Sequence, residues 1–151
     1  MDEPVMSLLM MFDEPMDDAV MLFAVNDPRN TPSLNSASPL REIRQPGFFE
    51  ALSSRTQALL DGLLAAAKDC GVPMVGDCEG GMIGFFFADR LPQNYGQVMA
   101  TDKERFNRFF HAMLDRGVYL APAMYEAGFV SAAHTAQDIA TTCQAAREAL
   151  R

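Results

Sequence analysis

The stretch Phe109–His134, FFHAMLDRGVYLAPAMYEAGFVSAAH, decides how the whole chain reads. It carries the end of an amphipathic helix, a glycine at Gly117, a short apolar run Val118–Leu120, and a corner at Ala121-Pro122. A second strand is expected over Phe129–Ala132. Glycine just past a helix and proline just past an apolar run are the residues that end such elements. Between the two strands stands Glu126, in a run with few other charges. A carboxylate in apolar company is either solvated at a strand entrance or held by a partner.

Working outward from there, Phe106, Phe109, Phe110, Met113 and Leu114 recur at helical spacing. TDKE from Thr101 to Glu104 reads as a capping box that opens this helix. Ahead of it lie a loop over Asp89–Gly96 and the apolar strand Met82–Ala88, where Gly84 predicts close backbone approach or a bulge. A strand over Val72–Val75 and a turn over Gly76–Gly81 precede that. A long helix is expected from Phe48 to Asp69, with Phe48, Phe49, Leu52, Leu59, Leu60, Leu63, Leu64 and Ala67 tracing its apolar face and Gly71 as its stop. Leu40–Arg44 reads as a helix end closed by Pro46-Gly47. On the far side, Thr135 and Asp138 form a second cap, and Ile139, Cys143, Ala146 and Leu150 line a last amphipathic helix. The expected architecture is α+β, a short antiparallel sheet covered by helices.

The beginning of the chain reads differently. Val5–Phe12, VMSLLMMF, is a continuous apolar run ending at Asp13-Glu14 and stopped by Pro15, the pattern of a buried parallel-type strand. An acid at the carboxyl end of such a strand is where these sheets place ligands; the same acid also serves simply as a polar strand end. Asn26–Pro39, NDPRNTPSLNSASP, is a linker by composition. The expected division is 1–39 and 40–151.

Composition excludes several classes. A 49% hydrophobic, 21% charged chain of 151 residues is globular rather than disordered. A formal net charge of −8 argues against nucleic acid or an anionic membrane as partner. Cys70, Cys78 and Cys143 have no CxxC spacing and are expected as free thiols in a reducing compartment. His111 and His134, the two histidines, have no cysteine at ligand spacing, so no metal site is expected. The acidic MDEP start lacks the basic region of a secretory signal, and a cytoplasmic location is expected. His111 reads as packed and His134 as structural. Ser131 has no base at a recognisable spacing, so a nucleophile is unsupported. No phosphate-binding glycine loop of the P-loop or Rossmann kind is present.

PGFFEAL, GGMIGFFFAD and NYGQVMATDKERFNRFFHAMLDRGVYLAPAMYEAGFVSAAHTAQDI resemble the C-terminal small domain of glutamate-1-semialdehyde aminomutase, a class III aminotransferase of the type I pyridoxal-phosphate fold. The likeness covers about Leu40–Leu150. It implies isomerisation of glutamate-1-semialdehyde to 5-aminolevulinate in tetrapyrrole biosynthesis, pyridoxal phosphate as cofactor, a small amino acid semialdehyde as substrate and a homodimer. On the same resemblance Glu126 matches a glutamate near the cofactor and substrate amino groups, with Ala123 where the family usually has serine. LLMMFDEPM resembles the strand whose aspartate, here Asp13, pairs with the pyridine nitrogen and keeps the ring an electron sink. TPSLNS from Thr31 resembles the segment whose threonine touches the cofactor phosphate.

One departure governs what the resemblance implies. Between those last two segments the family carries the lysine that forms the Schiff base, and Met16–Asn30 contains none. The chain's two lysines, Lys68 and Lys103, match no such position. The sequence therefore reads as an internally deleted or truncated aminomutase relative, inactive as it stands. Two other readings stay open, an interaction module that pairs with a full-length aminomutase and a remnant of another class III aminotransferase. Without the lysine, pyridoxal phosphate would bind only non-covalently.

Overall fold

A computed structural model describes residues 39–151. The expectations that fall before Pro39, among them the Val5–Phe12 strand, Asp13 and Thr31, lie outside those residues. In chain order the described elements are α1 Pro39–Glu42, α2 Phe48–Asp69, β1 Val75–Glu79, β2 Met82–Phe86, α3 Tyr95–Met99, α4 Lys103–Leu114, β3 Gly128–Phe129 and α5 Ala136–Ala149. The three strands form one antiparallel sheet in the order β1-β2-β3, with α2 packed on β1 and β2 and α5 packed on both α2 and α4. The α+β architecture expected from the sequence is the one observed.

α2 forms where the apolar spacing placed it. Thr56, Leu59, Leu60, Leu63, Ala66 and Ala67 are its buried positions, and Gly71, at a φ of 68°, turns the chain out of the helix. Its first turn departs from the expectation: Phe49 is 60% exposed. Leu52 already lies against the hairpin turn at Gly81, so the turn before it overhangs the end of the sheet. There the Phe49 ring packs edge to face with Phe48, at 5.3 Å.

β1 is the largest correction. Val75–Glu79 is strand, not turn, and pairs with β2 from Val75↔Phe86 to Glu79↔Met82, leaving Gly80-Gly81 as the hairpin turn. VGDCE hides its strand character because the residues facing the helix are small. A Cβ on Gly76 would sit 2.7 Å from Leu60 Cδ1 and 2.6 Å from the Gly84 carbonyl oxygen. Cys78, two residues on and so on the same face, reaches Gln57 of α2. Val118–Leu120 is also not a full strand. Only Val118 makes a bridge, although Val118 and Leu120 are both buried, and β3 is confined to Gly128–Phe129.

The core runs between α2, α4, α5 and the sheet. Phe109 meets Phe85 at 5.7 Å and Phe87 at 5.5 Å, both edge to face, the arrangement that ring quadrupoles favour. Phe106 and Met113 are buried beside it, whereas Leu114 is 43% exposed and His111, expected to be packed, lies on the outer side of α4. The α4 cap also shifts by one residue. Asp102 accepts from the Arg105 N–H at 2.9 Å, while the Thr101 hydroxyl donates to the Val98 carbonyl and closes α3. α3 itself was not anticipated; Asn94, whose side chain accepts from the Gln97 N–H, is the signal that could have revealed it. On α5 the Thr135–Asp138 capping box is present as expected.

α2 and α5 approach closely at Gly62, where a Cβ would run into Cys143 Sγ. Gly62→Ala is expected to destabilise the protein by about 1–3 kcal/mol through overpacking, despite alanine's better helix propensity. Urea unfolding of the two proteins checks this, and an unchanged or raised midpoint would contradict the close approach.

The Asp102 carboxyl is held below the ordinary aspartate range, chiefly by the Arg105 backbone N–H; desolvation opposes this, and the Arg105 side chain adds a smaller lowering effect. A depressed folded-state pKa gives stability that is present above the unfolded value and lost as pH falls through the folded one. Asp102→Asn should therefore lower the melting temperature at pH 7 but have a shrinking effect as the pH drops below the ordinary aspartate range. Parallel thermal melts across that window measure it.

Candidate functional site

Glu126 sits on the loop that joins the Val118 bridge to β3. Two buried side chains anchor this loop. Leu120 is 1% exposed and Met124 6%, and the Thr101 hydroxyl lies 3.6 Å from Met124 Sδ. Between them the chain closes on itself. The Glu126 N–H donates to the Ala123 carbonyl at 3.0 Å, and the Ala123 N–H donates to Glu126 Oε2 at 3.1 Å. Proline at 122 and alanine at 123 leave nothing bulky to obstruct that reciprocal turn. The carboxylate, half-buried, is thus held by a backbone N–H, which leaves one oxygen of the pair for other work. This is the second of the two states foreseen for it, a held carboxylate.

Behind Glu126 lies a cavity of about 10 Å³ lined by Gly84, Phe85, Phe106, Met124 and Gly128. That volume admits roughly one water molecule, against the roughly 300–1,000 Å³ of a typical small-molecule site. No lysine lines it. Lys68 is exposed on the last turn of α2, and Lys103 is exposed at the first residue of α4. This cavity therefore does not fit a covalently tethered pyridoxal phosphate, neither in volume nor in donor chemistry. Asp13 and Thr31, the other residues singled out from the sequence, lie outside the described residues.

A contact that sequence reasoning missed lies two residues past β3. The His134 Nδ1 accepts from the Ser131 N–H at 3.0 Å, and the Ser131 hydroxyl is also 3.0 Å from the same nitrogen. A base does stand beside Ser131, contrary to the expectation; the S-x-x-H spacing was the available signal. Its lone pair is aimed at a backbone amide, and the Ser131 Oγ accepts from the Ala133 N–H. Arg55 of α2 donates to the carbonyls of Ser131 and Ala132 at 3.4 and 3.3 Å. These contacts fasten the exit of β3 to α2, and they give His134 the structural part expected of it.

The three cysteines are free thiols, and burial pushes the thiols of Cys143 and Cys78 up. Among the described residues no group of three or more His, Cys, Asp or Glu converges as a metal site, and no helix is long and apolar enough to cross a membrane.

Searched against protein-family models, the chain finds no match. Curated relatives are decisive. The glutamate-1-semialdehyde 2,1-aminomutase of Leptothrix cholodnii is 69% identical over 116 residues, 74% of this chain and 26% of the relative. This chain is related to the glutamate-1-semialdehyde 2,1-aminomutases. The aminomutases of Polaromonas naphthalenivorans and Laribacter hongkongensis are 66% and 61% identical over 107 and 110 residues, covering 71% and 73% of this chain. The chain spans about a quarter of the length of the aminomutases it matches. Solved structures carry the same fold. An omega-transaminase from Sphaerobacter thermophilus superposes with a TM-score of 0.63 at 23% identity over 70% of this chain and 24% of its own. A β-phenylalanine aminotransferase from Variovorax paradoxus gives 0.62 at 22% identity, over 82% of this chain and 31% of its own. The FumI protein of Sphingopyxis sp. MTA144, solved in its PLP internal aldimine form, gives 0.58 at 30% identity over 74% of this chain and 24% of its own.

The Glu126 turn generates a direct expectation. Glu126→Ala removes the acceptor of the Ala123 N–H and should cost about 1 kcal/mol. Amide exchange at Ala123 should quicken, while protection in α2 falls only with global stability. Unchanged protection at Ala123 would mean that the carboxylate does not hold the turn.

Proposed function

We propose that this chain supplies the C-terminal small-domain part of a glutamate-1-semialdehyde aminomutase and does not isomerise the semialdehyde by itself. The observation that carries the reading is the coincidence of 61–69% identity to aminomutases with a carboxylate presented on a self-closed loop at Ala123–Glu126. In this reading Glu126 faces the amino groups of the small semialdehyde substrate, and residues 40–151 are the aminotransferase-like domain. Residues 1–39 are the remnant of the cofactor-binding part, with Asp13 facing the pyridine nitrogen and Thr31 the phosphate. The protein acts in the cytoplasm, on the small-molecule side of tetrapyrrole biosynthesis, with no nucleic-acid partner, and the complete assembly is a homodimer.

Inactivity of the isolated chain follows from chemistry rather than from size alone. Pyridoxal phosphate supplies an electron sink when it is bound, and tethering it takes a lysine amine within reach. Here both lysines are exposed on helix ends, and neither lines the cavity at Glu126. A remnant of another class III aminotransferase is less well supported, since identity to the aminotransferases of known structure is 22–30%.

Purified chain mixed with one equivalent of pyridoxal phosphate, then treated with borohydride, tests this. The expected result is no stoichiometric reducible band at visible wavelengths and no aminolevulinate formed from the semialdehyde. A band lost on Lys68→Arg or Lys103→Arg, accompanied by turnover, would overturn the reading.

A further inference from the structure

Ile43 and Phe49 are 38% and 60% exposed, and the half-buried Phe48 packs against the Phe49 ring. Two successive turns keep this stretch compact ahead of α2: the Gln45 N–H donates to the Glu42 carbonyl, and the Phe48 N–H donates to the Gln45 carbonyl. The result is an apolar face beyond the end of the sheet, close to Pro39, the first described residue. Arg41 and Arg44 stand on either side of Ile43, with Glu42 between them in the chain. Both arginines are exposed, and neither enters an ion pair among the described residues. Tyr95, Met99 and Tyr125 are exposed as well, as are Leu114 and Tyr119, but no stretch outside the described residues adjoins them.

The 38 residues before Pro39 have a composition that suits such a face. They hold seven of the chain's 20 acids and one of its 12 basic residues. Val5–Phe12, VMSLLMMF, is apolar at every position but Ser7, with Asp2-Glu3 before it and Asp13-Glu14 after it. Such a run is an association hazard in water and gains by lying against another apolar surface. Its methionines adapt it to an irregular face, because the unbranched thioether side chain changes shape easily. Only 26 residues separate Phe12 from Pro39, which holds the run at an effective concentration of about a millimolar. At that concentration a small contact suffices, whereas a separate partner needs an interface of about 1,000 Å². We propose that Val5–Phe12 docks on the face formed by Ile43, Phe48 and Phe49, with its flanking acids meeting Arg41 and Arg44. The proposal concerns the chain by itself and goes beyond the reading of Glu126, on which it does not depend.

Methionine oxidation of the full chain by dilute hydrogen peroxide, followed residue by residue by mass spectrometry, tests this. Met99, 42% exposed, sets the rate of an open methionine, and buried Met113 reports the integrity of the core. The expected result is that Met6, Met10 and Met11 oxidise at least fivefold more slowly than Met99. Phe49→Glu and Ile43→Glu remove apolar surface and set a carboxylate against an acidic segment. Each should speed oxidation of the three methionines at least threefold while Met113 stays protected. Both side chains are exposed, and a glutamate in the first turn of α2 suits the helix dipole, so these variants should fold. Oxidation of the three at the Met99 rate in the unaltered chain overturns the proposal, as does protection indifferent to both substitutions. Protection that fades on dilution also overturns it, since a second copy would then be covering the run. None of these outcomes bears on the functional reading, whose failure would show as a Schiff-base band and turnover.

Discussion

The structure depends on how closely α2 can lie on its neighbours. Leu60 enters the space left by the missing side chain of Gly76 on the β1–β2 hairpin, and Cys143 of α5 enters the one left by Gly62. Each contact exists because one side has no Cβ. Together they bring a 22-residue helix onto the sheet and onto α5 within direct van der Waals reach. Packed interiors tolerate little change in volume, so both glycines act as spacers for the whole layer.

With that layer in place, the second half of the molecule has a wall to build on. Phe85 and Phe87 stand on the strand side and Phe106 and Phe109 on α4, and their ring contacts, edge to face at Phe109 and tilted at Phe106, fix the height of α4 above the sheet. The loop carrying Glu126 then spans from the end of α4 back to β3, pegged by Leu120 and Met124. Arg55 reaches from α2 to the exit of β3, so the helix that supports the sheet also anchors the far end of the functional loop.

The same geometry explains why a well-formed carboxylate is not yet a site. Glu126 is pre-positioned by a backbone bond and backed by aromatic and glycine walls, which is what a binding group needs on its own side. Next to it in the chain, the exposed Tyr125 ring stands 6.3 Å from that of Tyr95. The aminotransferase-fold proteins of known structure are three to four times longer than the part superposed on this chain.

What the sequence determined by itself was whatever periodicity and punctuation encode. The helix over Phe48–Asp69, its stop at Gly71, the Thr135–Asp138 cap and the apolar strand from Met82 all follow from local chemistry, as does the likeness that led to the aminomutases. Tertiary structure decided the rest. VGDCE is a strand because β2 supplies its ladder and Leu60 demands a glycine opposite, neither of which a local reading can see. Ser131 and His134 meet because a turn brings them together, Phe49 is exposed because the sheet ends at Gly81, and Glu126 is held because Ala123 offers its N–H. Local pattern sets which element forms; only packing sets which side chains find partners, because that depends on atoms far away in the chain.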